Sequence, residues 1–308
     1  MINAGIIGFG GMGHVHFGVY EESEDANLVA VADTDEEKLG IGNNTQNINI
    51  GEGAATLDPK RHSLYSNPPE LLDDDNVELV DICLPTYLHA DYVIQALEAG
   101  KHVLCEKPMA FTSRECERML EATDNSPGYL MIAQCIRFWP GWLLDSSRSG
   151  GALLDLHVHD VDYVQNLLGQ PASVFSTGTV GPTGGYDMVD TLYRYDDESN
   201  DRISVHTGCA WELPAALGFE MKYSVAFEGG AITFSSKDSP TLTEYRDEDT
   251  IHPDVPDTDG YHREIEYFIR CIENDEPPRR CSPESTASSV QIARAEEESA
   301  RTGQIVLL

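Results

Sequence analysis

The chain opens Met-Ile-Asn-Ala4-Gly-Ile-Ile-Gly8-Phe9-Gly10-Gly11-Met12-Gly13-His14-Val-His16-Phe17. A short apolar run meets glycines spaced G-x-G-x-x-G, and residues of helical periodicity follow at once. In that setting Gly8 permits a tight turn, Gly10 lets a pyrophosphate approach the backbone, and Gly13 lets the helix pack on the strand. The helix N-terminus adds free N–H groups and a positive dipole end. The stretch therefore predicts a strand, a dinucleotide-binding turn from Gly8 to Gly13, and a helix. A purely structural glycine turn is the competing reading. Asp33 argues against it, standing twenty residues beyond Gly13 at the end of the next strand-like run. A carboxylate there accepts the ribose hydroxyls of NAD. Thr34-Asp35-Glu36-Glu37 follow without an Arg for a 2′-phosphate, so NAD is favoured over NADP.

Outward from this turn the pattern is βα. Strands are predicted at Ala4–Gly8, Leu28–Ala32, Leu79–Leu84, His102–Cys105 and Tyr129–Ala133, each a short apolar run bounded by Gly, Asp or Pro. Helices are predicted at Leu88–Ala99, closed by Gly100, and Ser113–Ala122, opened by Thr112. The polar stretch Gly40–Pro69 reads as a long excursion. Residues 1–134 are thus expected to form a doubly wound parallel sheet, a Rossmann domain. From about residue 170 the runs Ser173–Thr179, Met188–Tyr195, Ile203–Trp211, Glu220–Phe227 and Ala231–Phe234 predict a meander. A loop from Lys237 to Gly260 follows, then helices at His262–Glu273 and Ser285–Arg301. The expectation for 135–308 is an α/β domain with a mainly antiparallel open sheet.

Of the 308 residues, 20 are Lys or Arg and 53 are Asp or Glu, a formal charge of −33. Such a field repels polyanions, which excludes most nucleic-acid and anionic-membrane binders. Self-repulsion on this scale favours a salt-rich, halophilic cytoplasm, where at 1 M the Debye length is about 3 Å; an ordinary acidic protein is the plainer reading. Seven scattered cysteines without a C-x-x-C pair fit a reducing compartment. No signal peptide and no bilayer-length apolar run are seen, so a cytoplasmic, membrane-free protein is expected.

Two further constellations carry chemistry. Cys105-Glu106-Lys107-Pro108 follows the fourth predicted strand, where a side chain projects toward the ligand crevice of a parallel sheet; a solvated surface lysine is the bland alternative. In Gly150-Gly-Ala-Leu-Leu-Asp155-Leu-His157-Val-His159-Asp160-Val-Asp162, Asp155 and His159 are four apart and share a face if helical. The carboxylate could then orient an imidazole base. His157-x-His159-Asp160 could instead ligate a metal, or the histidines could be core residues; beside the glycine turn and Lys107 the metal reading is the weaker, and no metal is expected.

Together these motifs resemble the Gfo/Idh/MocA oxidoreductases, named for glucose–fructose oxidoreductase and inositol dehydrogenase. The resemblance covers nearly the whole chain. It includes Gly5–Gly13, Asp81-Ile-Cys-Leu-Pro85-Thr86-Tyr-Leu-His89, Glu106-Lys107-Pro108, Arg137-Phe-Trp-Pro140, Gly150–Asp162 and the terminal Ala295–Val306. It implies that Lys107, Asp155 and His159 occupy the catalytic Lys, Asp and His positions. It places Pro85, Thr86 and His89 near the nicotinamide and Glu106 beside the cofactor ribose. The implied activity is hydride transfer between NAD and a carbinol carbon of a sugar, cyclitol or related polyol, in a dimer or tetramer built on the open sheet. Arg137, Trp139, Asp162 and His262 are candidates for polyol recognition, each with an equal structural alternative. An NAD-using glycoside hydrolase and a non-catalytic dinucleotide-binding regulator are the other readings. One departure stands out: only Gly141–Ser149 separates Pro140 from Gly150, where the family has a helix and a strand. Either these walls are lost or a segment is missing.

Overall fold

Strand β1 (Ile2–Ile7) has Ala4, Ile6 and Ile7 fully buried, as a strand covered on both faces requires. In the computed structural model, which describes residues 1–40, 57–138, 152–181, 184–195, 203–210, 217–218, 220–254 and 260–308, it lies at the centre of a six-stranded sheet. The sheet order is β3-β2-β1-β4-β5-β6, with β2 (Ala26–Ala32), β3 (Ser63–Tyr65), β4 (Leu79–Ile82), β5 (His102–Glu106) and β6 (Leu130–Ala133). Every pairing is parallel. The winding reverses between β1 and β4, which opens a crevice at their carboxyl ends.

Helices α1 (Gly11–Glu22), α2 (Pro68–Leu72), α3 (His89–Glu98) and α4 (Ser113–Asp124) cover the sheet. Helix α4 begins in a reciprocal cap: the Glu115 N–H donates to Thr112 Oγ1 at 3.2 Å and the Thr112 N–H to Glu115 Oε2 at 2.9 Å. The stretch read as an excursion from Gly40 to Pro69 contains β3 and the start of α2, a correction. Three residues at a sheet edge, paired to β2 alone, carry too little apolar pattern to be seen in sequence.

A π-helical turn, Ala152–Leu156, leads into α5 (His157–Leu168). Then come β7 (Ser173–Val180), β8 (Tyr186–Arg194), β9 (Ser204–Ala210), β10 (Lys222–Phe227), β11 (Gly230–Ser235), β12 (Leu242–Arg246), β13 (Asp249–Ile251), α6 (Gly260–Glu273), α7 (Pro283–Thr302) and β14 (Val306–Leu307). They form two antiparallel sheets, β14-β7-β8-β9 and β10-β11-β12-β13. The segment expected as a loop from Lys237 to Gly260 therefore holds the hairpin β12–β13, another correction. Its strands are largely exposed and its turn is set by Asp247 at φ +49°, so alternation of buried residues is absent there.

Helices α6 and α7 fold back on the first sheet. Ile265, Phe268 and Ile269 of α6 join the core with Phe17 and Leu104, and Val290 of α7 joins the opposite face with Val93 and Met119. Helix α7 opens on Ser282, whose Oγ accepts the Ser285 N–H at 3.3 Å, and closes at Gly303 with φ +66°.

Candidate active site

The glycine turn is fixed by sterics. Gly8 has φ +97°, and a Cβ on it would lie 2.5 Å from the Cys83 carbonyl oxygen of the neighbouring strand's loop. A Cβ on Gly13 would collide with the Gly8 carbonyl. At Gly10, by contrast, no other described residue comes within 4 Å of a Cβ position beyond the local backbone, so the space over the first turn of α1 is open among the described residues. That open cradle fits a pyrophosphate against backbone N–H groups. Phe9 is buried and stacks on His14, 4.1 Å between centroids, and its N–H donates to Asp33 Oδ2 at 2.8 Å. Gly11 and Met12 begin α1. Asp33 follows β2 directly, nearly buried, its Oδ1 accepting the Asp35 N–H at 2.9 Å. Lys38, which no sequence motif marks, lies 3.2 Å from Asp33 Oδ2.

Below this turn a buried polar cluster ties three elements together. His16 of α1 has Nδ1 2.9 Å from Asp81 Oδ2 of β4 and Nε2 3.2 Å from Glu106 Oε1 of β5. The Tyr20 hydroxyl also donates to Asp81 Oδ2, at 3.0 Å, and Glu106 Oε2 accepts the Lys107 N–H at 3.1 Å. Burial alone would push the His16 pKa down; the Asp81 charge, aided by hydrogen bonding, wins and raises it well above the ordinary imidazole value. Burial likewise opposes ionisation of Glu106, yet its bond to His16 and the charges of His16 and Lys107 hold its pKa low. A signal for this cluster was present in the sequence. Asp81 sits inside an apolar strand, and a buried carboxylate needs a partner.

After β4, Pro85 precedes a 3₁₀ turn at Thr86–Leu88, so Pro85 and Thr86 stand at the carboxyl edge of the sheet. His89 does not project from that loop. Its ring is buried, with Nε2 2.8 Å from the Leu84 carbonyl and Nδ1 2.9 Å from the Pro108 carbonyl, bracing the β4 loop against the turn that carries Lys107. Burial lowers its pKa against the pull of those carbonyls.

Lys107 follows β5 and is half-buried. Its charge acts on His159 of α5, a residue 5% exposed. Burial and then the Lys107 charge hold the His159 pKa well below the ordinary imidazole value, so the ring is neutral near pH 7. Asp155 lies on the π-helical turn preceding α5, but its side chain falls outside the described residues. His157 faces elsewhere: its Nε2 is 3.2 Å from Glu296 Oε2 of α7 and its Nδ1 3.3 Å from Asp160 Oδ2. Burial opposes its charge, but Glu296 and Asp160 raise its pKa well above the ordinary value. His157 and His159 therefore answer to different partners, and the His157-x-His159-Asp160 metal alternative loses its geometry.

The polyol-recognition candidates divide. Arg137 and Asp162 are both buried and clasp one another, Nε to Oδ2 at 2.7 Å and Nη2 to Oδ1 at 2.6 Å. Arg137 also donates to the Arg280 carbonyl at 2.5 Å, and Ser289 of α7 donates to Asp162 at 2.7 Å. The pair ties the turn after β6 to α5 and α7 and leaves its polar atoms engaged within the fold. His262 has Nε2 3.2 Å from Glu22 on the exposed side. Trp139 and the short junction 141–149 lie outside the described residues.

The chain is similar to known proteins over its length. Residues 2–134 match the Gfo/Idh/MocA oxidoreductase family, NAD-binding Rossmann fold, and residues 129–233 match the Gfo/Idh/MocA C-terminal domain. The chain is 26% identical to myo-inositol 2-dehydrogenase of Thermotoga maritima, over 89% of each chain. It is 26% identical to D-xylose 1-dehydrogenase (NADP(+)) 2 of Haloferax volcanii, over 79% of this chain and 84% of that one. Among solved structures, levoglucosan dehydrogenase with NADH and levoglucosan superposes with a TM-score of 0.81 at 21% identity, over 99% of both chains.

Proposed function

The chain belongs to the Gfo/Idh/MocA oxidoreductases, and from that premise we propose that it transfers hydride between NAD and a carbinol carbon of a sugar, cyclitol or related polyol through Lys107, His159 and Asp155. The observation that supports this reading is a buried His159, on α5, whose pKa is held low by burial and by the charge of Lys107, which follows β5. The dinucleotide, when bound, supplies the hydride acceptor at C4 of the nicotinamide. Gly8–Gly13 hold its pyrophosphate, Asp33 its adenosine ribose, and Pro85, Thr86 and Glu106 its nicotinamide end, with His89 acting through the loop it braces. His159, neutral, accepts the hydroxyl proton on an imidazole nitrogen, and Lys107 stabilises the negative charge developing on the substrate oxygen. Asp155, one helical turn before His159, orients the ring. The division of labour follows the expected domains, 1–134 for the dinucleotide and 135–308 for the substrate.

The outward face of β7 and β8 presents Phe175 opposite Leu192, both exposed, which suits a second copy of the chain. Seven free cysteines suit a reducing cytoplasm, and no helix among the described residues is long and apolar enough to cross a membrane. The charge of −33 suits molar salt. The test is NAD reduction at 340 nm across sugars, sugar acids and inositols, in low and in multimolar KCl. Steady accumulation of NADH with one polyol, rising with salt, is expected. Binding of NADH without net reduction on any polyol contradicts the dehydrogenase and points to the hydrolase, which returns its hydride, or the regulator.

A further inference from the structure

The adenosine end of the crevice holds a cation that the dinucleotide turn does not need. Lys38 is the single Lys or Arg in the first 59 residues, which carry the glycine turn and Asp33. Its ammonium sits 3.2 Å from Oδ2 and 3.4 Å from Oδ1 of Asp33. A carboxylate offers about four lone-pair positions. The Phe9 and Asp35 N–H groups take one on each oxygen, and Lys38 stands over the pair that remains. Those are the positions two ribose hydroxyls would use, so ribose and ammonium compete. Asp33 is fixed and nearly buried, whereas the Lys38 side chain is 35% exposed on a flexible stem, so Lys38 is the partner that moves. A 2′-phosphate in the same place reverses the balance, being repelled by Asp33 and attractive to Lys38. A half-exposed ion pair adds little to stability, which leaves ligand discrimination as the stronger reason for a lone cation at this spot.

We infer that Lys38 makes the adenosine-ribose subsite dual, admitting the 2′-phosphate of NADP(H) as well as the ribose diol of NAD(H), and that it sets the ratio between them. The inference rests on the dinucleotide reading above. Asp35, Glu36 and Glu37 disfavour a phosphate, so NADP(H) remains the weaker ligand and depends on this one cation.

The test is equilibrium titration of the full chain with NADH and with NADPH, followed by nicotinamide fluorescence at fixed ionic strength. The unsubstituted protein is expected to bind both, NADH the more tightly. Lys38→Gln is expected to weaken NADPH by about tenfold or more, the scale of one charge-assisted hydrogen bond, while leaving NADH unchanged or tighter. Lys38→Arg, which keeps the charge, is expected to retain NADPH. The inference is overturned if NADH binds and NADPH does not, or if Lys38→Gln leaves the ratio of the two Kd values unchanged. If neither binds the unsubstituted protein, the dinucleotide reading falls and this inference falls with it.

Discussion

On α1 and on α5 the molecule buries a histidine in two opposite ways. His16 is fully buried between the carboxyl groups of Asp81 and Glu106, and the Asp81 charge, with Cys83 beside it, overcomes desolvation and raises its pKa. His159 is nearly as buried, but the Lys107 charge adds to desolvation and lowers its pKa. Burial is common to both, so the partners decide the chemistry. With a carboxylate against each of its nitrogens, His16 ties α1 to β4 and β5 and has no basicity to offer. His159 is neutral and able to take a proton.

The largest effect that would break this contrast is on stability. His16→Leu leaves Asp81 and Glu106 without their buried partner and is expected to destabilise the fold by about 3–5 kcal/mol. A urea midpoint within experimental error of the unsubstituted protein would show that the cluster is not an ion cage. The Arg137–Asp162 clamp sharpens the same point away from either histidine. Asp162→Ala removes one member of a buried bidentate pair and is expected to cost a similar amount, with NADH affinity of the surviving folded protein changed by less than about threefold.

The pH dependence separates the two histidines by sign. The folded pKa of His16 is raised, so its contribution to stability is present in full below the ordinary value of 6.5 and fades as pH rises through the folded value. For His159 the folded pKa is depressed, so the unfolded chain binds its proton first, and the native state loses stability as pH falls from 6.5 toward the folded value. The acid limb of kcat/KM governed by His159 is therefore expected below pH 6.5. Lys107→Met removes the charge that helps depress it and is expected to move that limb upward in the residual activity. A limb that stays in place would mean that Lys107 does not act on His159.

What the sequence disclosed follows from what fixes each feature. The glycine spacing and Asp33 are set by local sterics along one βα unit, and Lys107 and His159 lie in short contiguous motifs, so all were legible. The partners of His16 lie 65 and 90 residues away along the chain, and Arg137 meets Asp162 only because α5 packs against the turn after β6. Such pairings are properties of the packed fold. Lys38 is not legible as a partner of Asp33 in the sequence because it stands five residues on, past an acidic stretch, and returns through a turn. Strands β3, β12 and β13 are short or solvent-exposed, and period-two burial has nothing to register there.

The most direct test compares His159→Ala and Lys107→Ala with the unsubstituted enzyme, measuring kcat on the best polyol and NADH Kd on the same preparations. The account predicts that kcat falls by about 10²–10⁴ in each while NADH Kd stays within about threefold. Unchanged turnover in either variant would contradict the assignment of the base and its charged partner.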